Sequence, residues 1–179
     1  MTDWYPGAKR HPSPHCDDRP DNLRPDLLVI HNISLPPQHF GQGLVPAFFD
    51  GSLDCRAHPW LARLEGVRVS AHFFIERDGT LWQLVAISQR AWHAGLSQFA
   101  GRERLNDSSV GVELEGADHL PFTLAQYQAL ARLSAWLFTH TDIGPHRVTG
   151  HETIAPIRKT DPGPLFDWLT YYRLMELTA

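Results

Sequence analysis

Leu27-Leu28-Val29-Ile30-His31-Asn32 is the stretch from which the fold of this 179-residue chain is read. Consecutive apolar residues with no polar alternation describe a strand buried on both faces, at the centre of a sheet that helices cover. Ser34-Leu35-Pro36-Pro37 then turns the chain out of the sheet, because proline has no N–H to give to a ladder. His31 is therefore expected at the exit of a central strand, where open sheets place working polar groups.

Outward from this strand, residues 67–75 read as a second strand and 81–85 as its partner, with Asp78-Gly79 between them where a tight hairpin needs φ > 0. Residues 110–116 alternate: Val110, Val112 and Leu114 take one face, Gly111, Glu113 and Glu115 the other. Two carboxylates on one strand face point to a face that meets a cation or water. Thr123 reads as a helix N-cap with Gln126 completing a capping box. Tyr127, Leu130, Ala131, Ser134, Leu137 and Phe138 follow at helical spacing, up to about His140.

Pro164 and Asp167 suit the start of a last helix, with Leu165, Trp168, Leu169, Tyr172 and Met175 as its buried stripe. Residues 38–66 hold short amphipathic pieces, read as one or two short helices in an insertion. The proline-rich segment 1–26 is expected to lie extended on the surface, leaving 27–179 as one domain. The fold class is α/β: a single domain with a mixed β-sheet flanked by helices.

Composition narrows the function. At 42% hydrophobic and 20% charged, the chain is an ordinary globular protein. Its net charge of −4 gives no electrostatic reason to bind nucleic acid or an anionic membrane. Cys16 and Cys55 make no disulfide framework. No apolar run suits a signal peptide or a membrane span, so a cytoplasmic protein is expected. Eleven histidines raise the case for a metal or acid–base site.

The best candidate for such a site is the stretch 150–164. It carries His151, Lys159 and Asp161, and its three prolines from Pro156 to Pro164 exclude a continuous helix. Ala155 stands where the zincin helix motif would need its second histidine, so that motif is excluded. A metal here needs a distant ligand, and His31 is the candidate. His31, His151 and Asp161 would form the three-ligand set of a catalytic zinc, with a fourth position open to water. Spacing alone leaves the plainer readings standing: a packed histidine after a strand, and an aspartate that shapes a Pro-Gly turn.

Five segments taken in order carry a resemblance. They are Leu28-Val29-Ile30-His31-Asn32-Ile33-Ser34, Val69-Ser70-Ala71-His72, Arg90-Ala91-Trp92-His93-Ala94-Gly95, Gly111-Val112-Glu113-Leu114-Glu115-Gly116, and Gly150-His151 with Lys159-Thr160-Asp161-Pro162-Gly163. The chain resembles the N-acetylmuramoyl-L-alanine amidases of the type 2 family, from about Pro12 to Trp168. The resemblance implies a zinc amidase, of the fold shared with peptidoglycan-recognition proteins, with ligands His31, His151 and Asp161, a catalytic carboxylate Glu113 and a catalytic lysine Lys159. It is the resemblance that chooses Glu113 over Glu115. Distant relatives place a cysteine where Asp161 stands, so the aspartate favours the family's cytoplasmic recycling branch.

The activity so implied is cleavage of the bond between the lactyl group of (1,6-anhydro)-N-acetylmuramic acid and L-alanine. Loss of such an enzyme is linked, by the same resemblance, to β-lactamase induction. A muropeptide carries several carboxylates, for which Arg68 and Arg104 are candidates as guanidinium forks. Asn32 is a candidate for the peptide backbone, and Trp92 and His93 for the sugar side of the groove. His72 reads as a packed core histidine. The expected partner is the muropeptide alone, with no nucleic acid and no membrane, bound by a monomer. The alternatives are a non-catalytic muropeptide-binding module and a regulator that binds a polymerase.

Overall fold

The computed structural model describes residues 3–178. In chain order the strands are β1 (Lys9–Arg10), β2 (Cys16–Asp18), β3 (Leu27–Ile33), β4 (Phe73–Ile75), β5 (Leu81–Gln83), β6 (Gln89–Ala91), β7 (Gln98–Phe99), β8 (Arg102–Glu103), β9 (Ser109–Glu115) and β10 (Val148–Gly150). The helices are α1 (Leu44–Asp50), α2 (Leu124–His140), α3 (His151–Ile154) and α4 (Trp168–Thr178). The main sheet has six strands in the order β1-β5-β4-β9-β3-β10. It is mixed: β4 runs antiparallel to β5 and parallel to β9, and β3 runs parallel to both β9 and β10.

Both faces of β3 are covered, which is why its sequence does not alternate. Leu28 and Ile30 join Val110, Val112, Leu114, Phe73 and Ile75 against Leu130, Leu133 and Leu137 of α2 and Tyr171 of α4. Leu27 and Val29 face the other way, onto Ala94, Leu105 and Ile154. His31 shares that second face, because side chains two apart on a strand lie on one side. A further apolar cluster, with Phe48 and Phe49 of α1 against Phe74, Leu84 and Val85, closes the same side of the sheet.

Local chemistry accounts for the boundaries. Thr123 Oγ1 accepts the Gln126 N–H, and Gln126 Oε1 accepts the Thr123 N–H, both at 3.1 Å, so α2 starts on a complete capping box. Gly79 has φ +85°, and a Cβ there would lie 2.8 Å from the Ala125 carbonyl oxygen, so glycine is needed twice over. The insertion holds α1 and a one-turn 3-10 helix at Leu61–Leu64, as read.

Several expectations need correction. Only Phe73–Ile75 of the segment 67–75 is strand: Ser70 gives its N–H to the Trp92 carbonyl, outside the main sheet, and the Leu84 and Val85 N–H groups both converge on the His72 carbonyl, which interrupts the regular ladder. The α4 stripe is also shifted. Leu165, Leu169 and Tyr172 are 43%, 59% and 40% exposed, while Tyr171 is fully buried, its hydroxyl 2.9 Å from Ser134 Oγ. One residue is about 100° of helix rotation, so docking through Tyr171 turns Leu169 and Tyr172 outward. The segment before β3 is extended but does not merely lie on the surface. It adds β1 to the main sheet, pairs β2 with β6, and buries Arg19, whose guanidinium donates to the Ile87, Asn106, Asp107 and Ser109 carbonyls.

Candidate active site

Strand register brings the first pair of candidate residues together. β3 and β9 are parallel with His31 opposite Glu113, so both side chains rise from one face. β10 lies on the other side of β3 with Gly150 opposite Ile30, and His151 follows at once as the first residue of α3. The turns after α3 return Asp161, whose carbonyl accepts the Glu152 N–H at 2.8 Å. Asn32 fastens that return: its Nδ2 donates to the Pro162 carbonyl at 3.0 Å and to Asp118 Oδ1 at 2.7 Å.

Three side chains meet at one point. His31 Nδ1 is 2.9 Å from His151 Nδ1 and 2.9 Å from Asp161 Oδ2, and His151 Nδ1 is 3.0 Å from that same oxygen. Both histidines are buried. His151 Nε2 lies 3.2 Å from the Ala94 carbonyl, which can only accept, so the ring's hydrogen belongs on Nε2 and its Nδ1 presents a lone pair. A lone pair and a carboxylate oxygen facing each other at 3.0 Å form an environment suited to a cation. Donors about 2.0–2.2 Å from one tetrahedral zinc stand roughly 3.3–3.6 Å apart, so the three atoms need open by only a few tenths of an ångström. The donor set fits zinc.

Electrostatics match. Burial drives the His31 imidazole down to about 4, against the upward pull of Asp161, so it is neutral at pH 7 as a ligand must be. Glu113 behaves oppositely: burial, and then the charge of Asp161, push its carboxyl well above the usual range, with Lys159 pulling the other way. Its Oε2 is out of reach of solvent and has no hydrogen-bond partner among the described residues.

Glu115, two positions on, is not comparable. Its Oε1 accepts the Gly41 N–H at 2.6 Å and its Oε2 the Arg77 N–H at 3.1 Å, which ties two loops to β9. Lys159 lines the same cleft of about 320 Å³ as His31, Glu113, His151 and Asp161, and makes no ion pair among the described residues.

The candidate substrate residues are spread wider. Trp92 lines this cleft, its Nε1 donating to Asp17 Oδ1 at 3.2 Å. Asn32 lines it too, although its amide nitrogen is engaged as described. Arg68 is exposed and lines an adjoining cavity of about 400 Å³ that shares Phe48 and Val67 with the first. Arg104 lines a separate cavity with Leu96 and Ile157 and lies 3.4 Å from Asp107, so it is not among the residues around the ligand cluster. His93 lines the cleft, but both its ring nitrogens are within hydrogen-bonding distance of protein atoms, His31 Nε2 and Ser109 Oγ. His72 is a fully buried core histidine, as read.

Residues 21–164 match the family described as N-acetylmuramoyl-L-alanine amidase. The chain belongs to that family and is an enzyme of that class. It is 54% identical over 174 residues to the 1,6-anhydro-N-acetylmuramyl-L-alanine amidase AmpD of Escherichia coli (strain K12), covering 97% of this chain and 94% of the relative. The AmpD of Citrobacter freundii is 52% identical over 172 residues, covering 96% and 92%. Among solved structures, a crystal structure of a selenomethionine AmpD derivative superposes with a TM-score of 0.94 at 52% identity, covering 97% of each chain. The E. coli amidase AmiD, solved in complex with anhydro-N-acetylmuramic acid-L-Ala-D-γ-Glu-L-Lys, superposes with a TM-score of 0.63 at 35% identity, covering 84% of this chain and 57% of that one.

Proposed function

We propose that this enzyme is a zinc-dependent amidase that hydrolyses the bond between the lactyl group of (1,6-anhydro)-N-acetylmuramic acid and the L-alanine of a muropeptide, in peptidoglycan recycling. The observation that carries the reading is the convergence of His31 Nδ1, His151 Nδ1 and Asp161 Oδ2 in the cleft that also holds Glu113 and Lys159. The names of the relatives at 54% and 52% identity support the substrate.

His31, His151 and Asp161 would hold the zinc ion. Bound there, it would supply an acidified water, with a pKa of roughly 7, and a Lewis acid for the scissile carbonyl. Glu113 takes a proton from the attacking water and returns it to the departing nitrogen of L-alanine. A carboxyl held above its usual range by burial suits both halves of that exchange. Lys159 places its ammonium toward the negative charge that develops on the carbonyl oxygen. Trp92 walls the cleft beside the sugar, and Arg68 in the adjoining cavity takes a carboxylate of the peptide stem. No helix among the described residues is long and apolar enough to cross a membrane. The resemblance to the family's recycling branch implies action in the cytoplasm, and the enzyme is proposed to act as a monomer.

Mass spectrometry of the products from a defined anhydro-muropeptide tests this. The expected result is free peptide with L-alanine at its N-terminus, absent after chelator treatment and restored by zinc. Undiminished release after complete metal removal would overturn the reading.

A further inference from the structure

A line of contacts runs behind the ligand cluster. His31 Nε2 lies 2.9 Å from His93 Nδ1, and His93 Nε2 lies 3.1 Å from Ser109 Oγ. Ser109 Oγ also lies 2.6 Å from the Leu105 carbonyl oxygen, which can only accept, so the hydroxyl hydrogen points there. The serine oxygen then offers only lone pairs to His93. A neutral His93 must carry its hydrogen on Nε2 and leave Nδ1 bare. His31 must in turn carry its hydrogen on Nε2, and its Nδ1 lone pair is left facing His151 and Asp161.

The fold is shaped to allow this line. A Cβ at position 111 would lie 2.5 Å from Cγ and Nδ1 of His93, so the glycine in the middle of β9 lets the imidazole lie directly on the strand backbone. Ser109 is fully buried two residues earlier on the same face.

We propose that His93 and Ser109 are positioning residues that fix His31 in the one tautomer able to hold a metal ion, and that His93 serves this task in place of a substrate contact. The inference rests on the metal reading of the site. Partners behind a metal-bound histidine typically change affinity or activity by about 10–100-fold when removed. Ser109→Ala takes away the acceptor that orients His93 and leaves both His93 tautomers open. His93→Ala removes the acceptor for His31, whereas His93→Asn returns a carbonyl oxygen near the position of Nδ1.

The test is zinc affinity by competition with a chelator on the full chain, with thermal melting as the check on folding. The second readout is the exchange of the His31 Nε2–H proton by NMR in the zinc-loaded protein. The expected result is zinc bound about 10–100-fold more weakly by Ser109→Ala and His93→Ala, with most of the loss recovered by His93→Asn. The His31 Nε2–H proton should exchange slowly in the wild type and fast in His93→Ala. If His93→Ala does not fold, Ser109→Ala carries the test alone, since it removes a single oxygen. Wild-type zinc binding with unchanged affinity in the folded variants would overturn the tautomer assignment and leave the amidase reading intact. A wild-type protein that takes up no zinc would sink both.

Discussion

Glu113 and Glu115 share a strand face, and only their partners separate them. Glu115 holds two backbone N–H groups, while Glu113 Oε2 has no hydrogen-bond partner among the described residues. Glu113→Gln should therefore keep zinc and lower kcat by about 10²–10⁴-fold, read from steady-state kinetics with metal analysis. Near-normal turnover would show that the proton is carried elsewhere. Asp161→Ala should lose zinc affinity as well as activity, and an unchanged zinc stoichiometry and dissociation constant would remove it from the ligand set. Lys159→Arg should cost more than about tenfold in kcat, because a broad guanidinium moves the charge off the position a compact ammonium occupies. Retained activity would mark it as a solvated loop charge. At this scale the convergence of His31, His151 and Asp161 in one cleft with Glu113 and Lys159 was legible from motif resemblance, and strand pairing adds the physical reason for His31 and Glu113. His93 lines the cleft, as read, but the positioning role proposed for it was not legible, because that role depends on Ser109 and Leu105, and no spacing rule links those three. The signal that could have found it is Gly111, a glycine inside an alternating strand where another group comes close.

Elements were read best where their signals are local. The capping box of α2 and the glycine of the β4–β5 turn are decided by residues within a few positions of each other, and both stand as expected. Strand β10 gives too short a run for any periodicity, and the register of α4 is set by one distant hydrogen bond, Tyr171 to Ser134. Arg19 is the clearest long-range case, since a surface segment would have no use for a buried guanidinium joined to carbonyls of two other loops. Helix α2 packs on the face of the sheet opposite His31, which separates stability from catalysis. Thr123→Ala should cost about 1 kcal/mol in urea unfolding and leave kcat unchanged. A fall in kcat with normal stability would mean that α2 positions the site after all.

For the whole molecule, acid should loosen the metal-free protein before its solvent-exposed carboxylates titrate. Burial, and then the Arg19 charge, hold His72 neutral, with its imidazole well below the ordinary 6.5. His93 and His31 are shifted in the same direction. Below pH 6.5 the unfolded chain binds these protons and the folded chain does not, so stability present above that pH is lost on acidification. The raised carboxyls of Glu113 and Glu152 work the other way, but they are two groups against three. The urea midpoint of chelator-treated protein should fall between about pH 7 and 5, with a shallower slope in His72→Asn. A midpoint that rose over that range would reverse the sign of the argument.

The account rests on one divalent ion shared by side chains from β3, α3 and the turn after it. The most direct measurement is an anomalous difference map from crystals of the zinc-loaded enzyme, recorded on both sides of the zinc absorption edge. The account predicts a single peak about 2.0–2.2 Å from His31 Nδ1, His151 Nδ1 and an Asp161 carboxylate oxygen. No peak there, or a peak held by other residues, would contradict it.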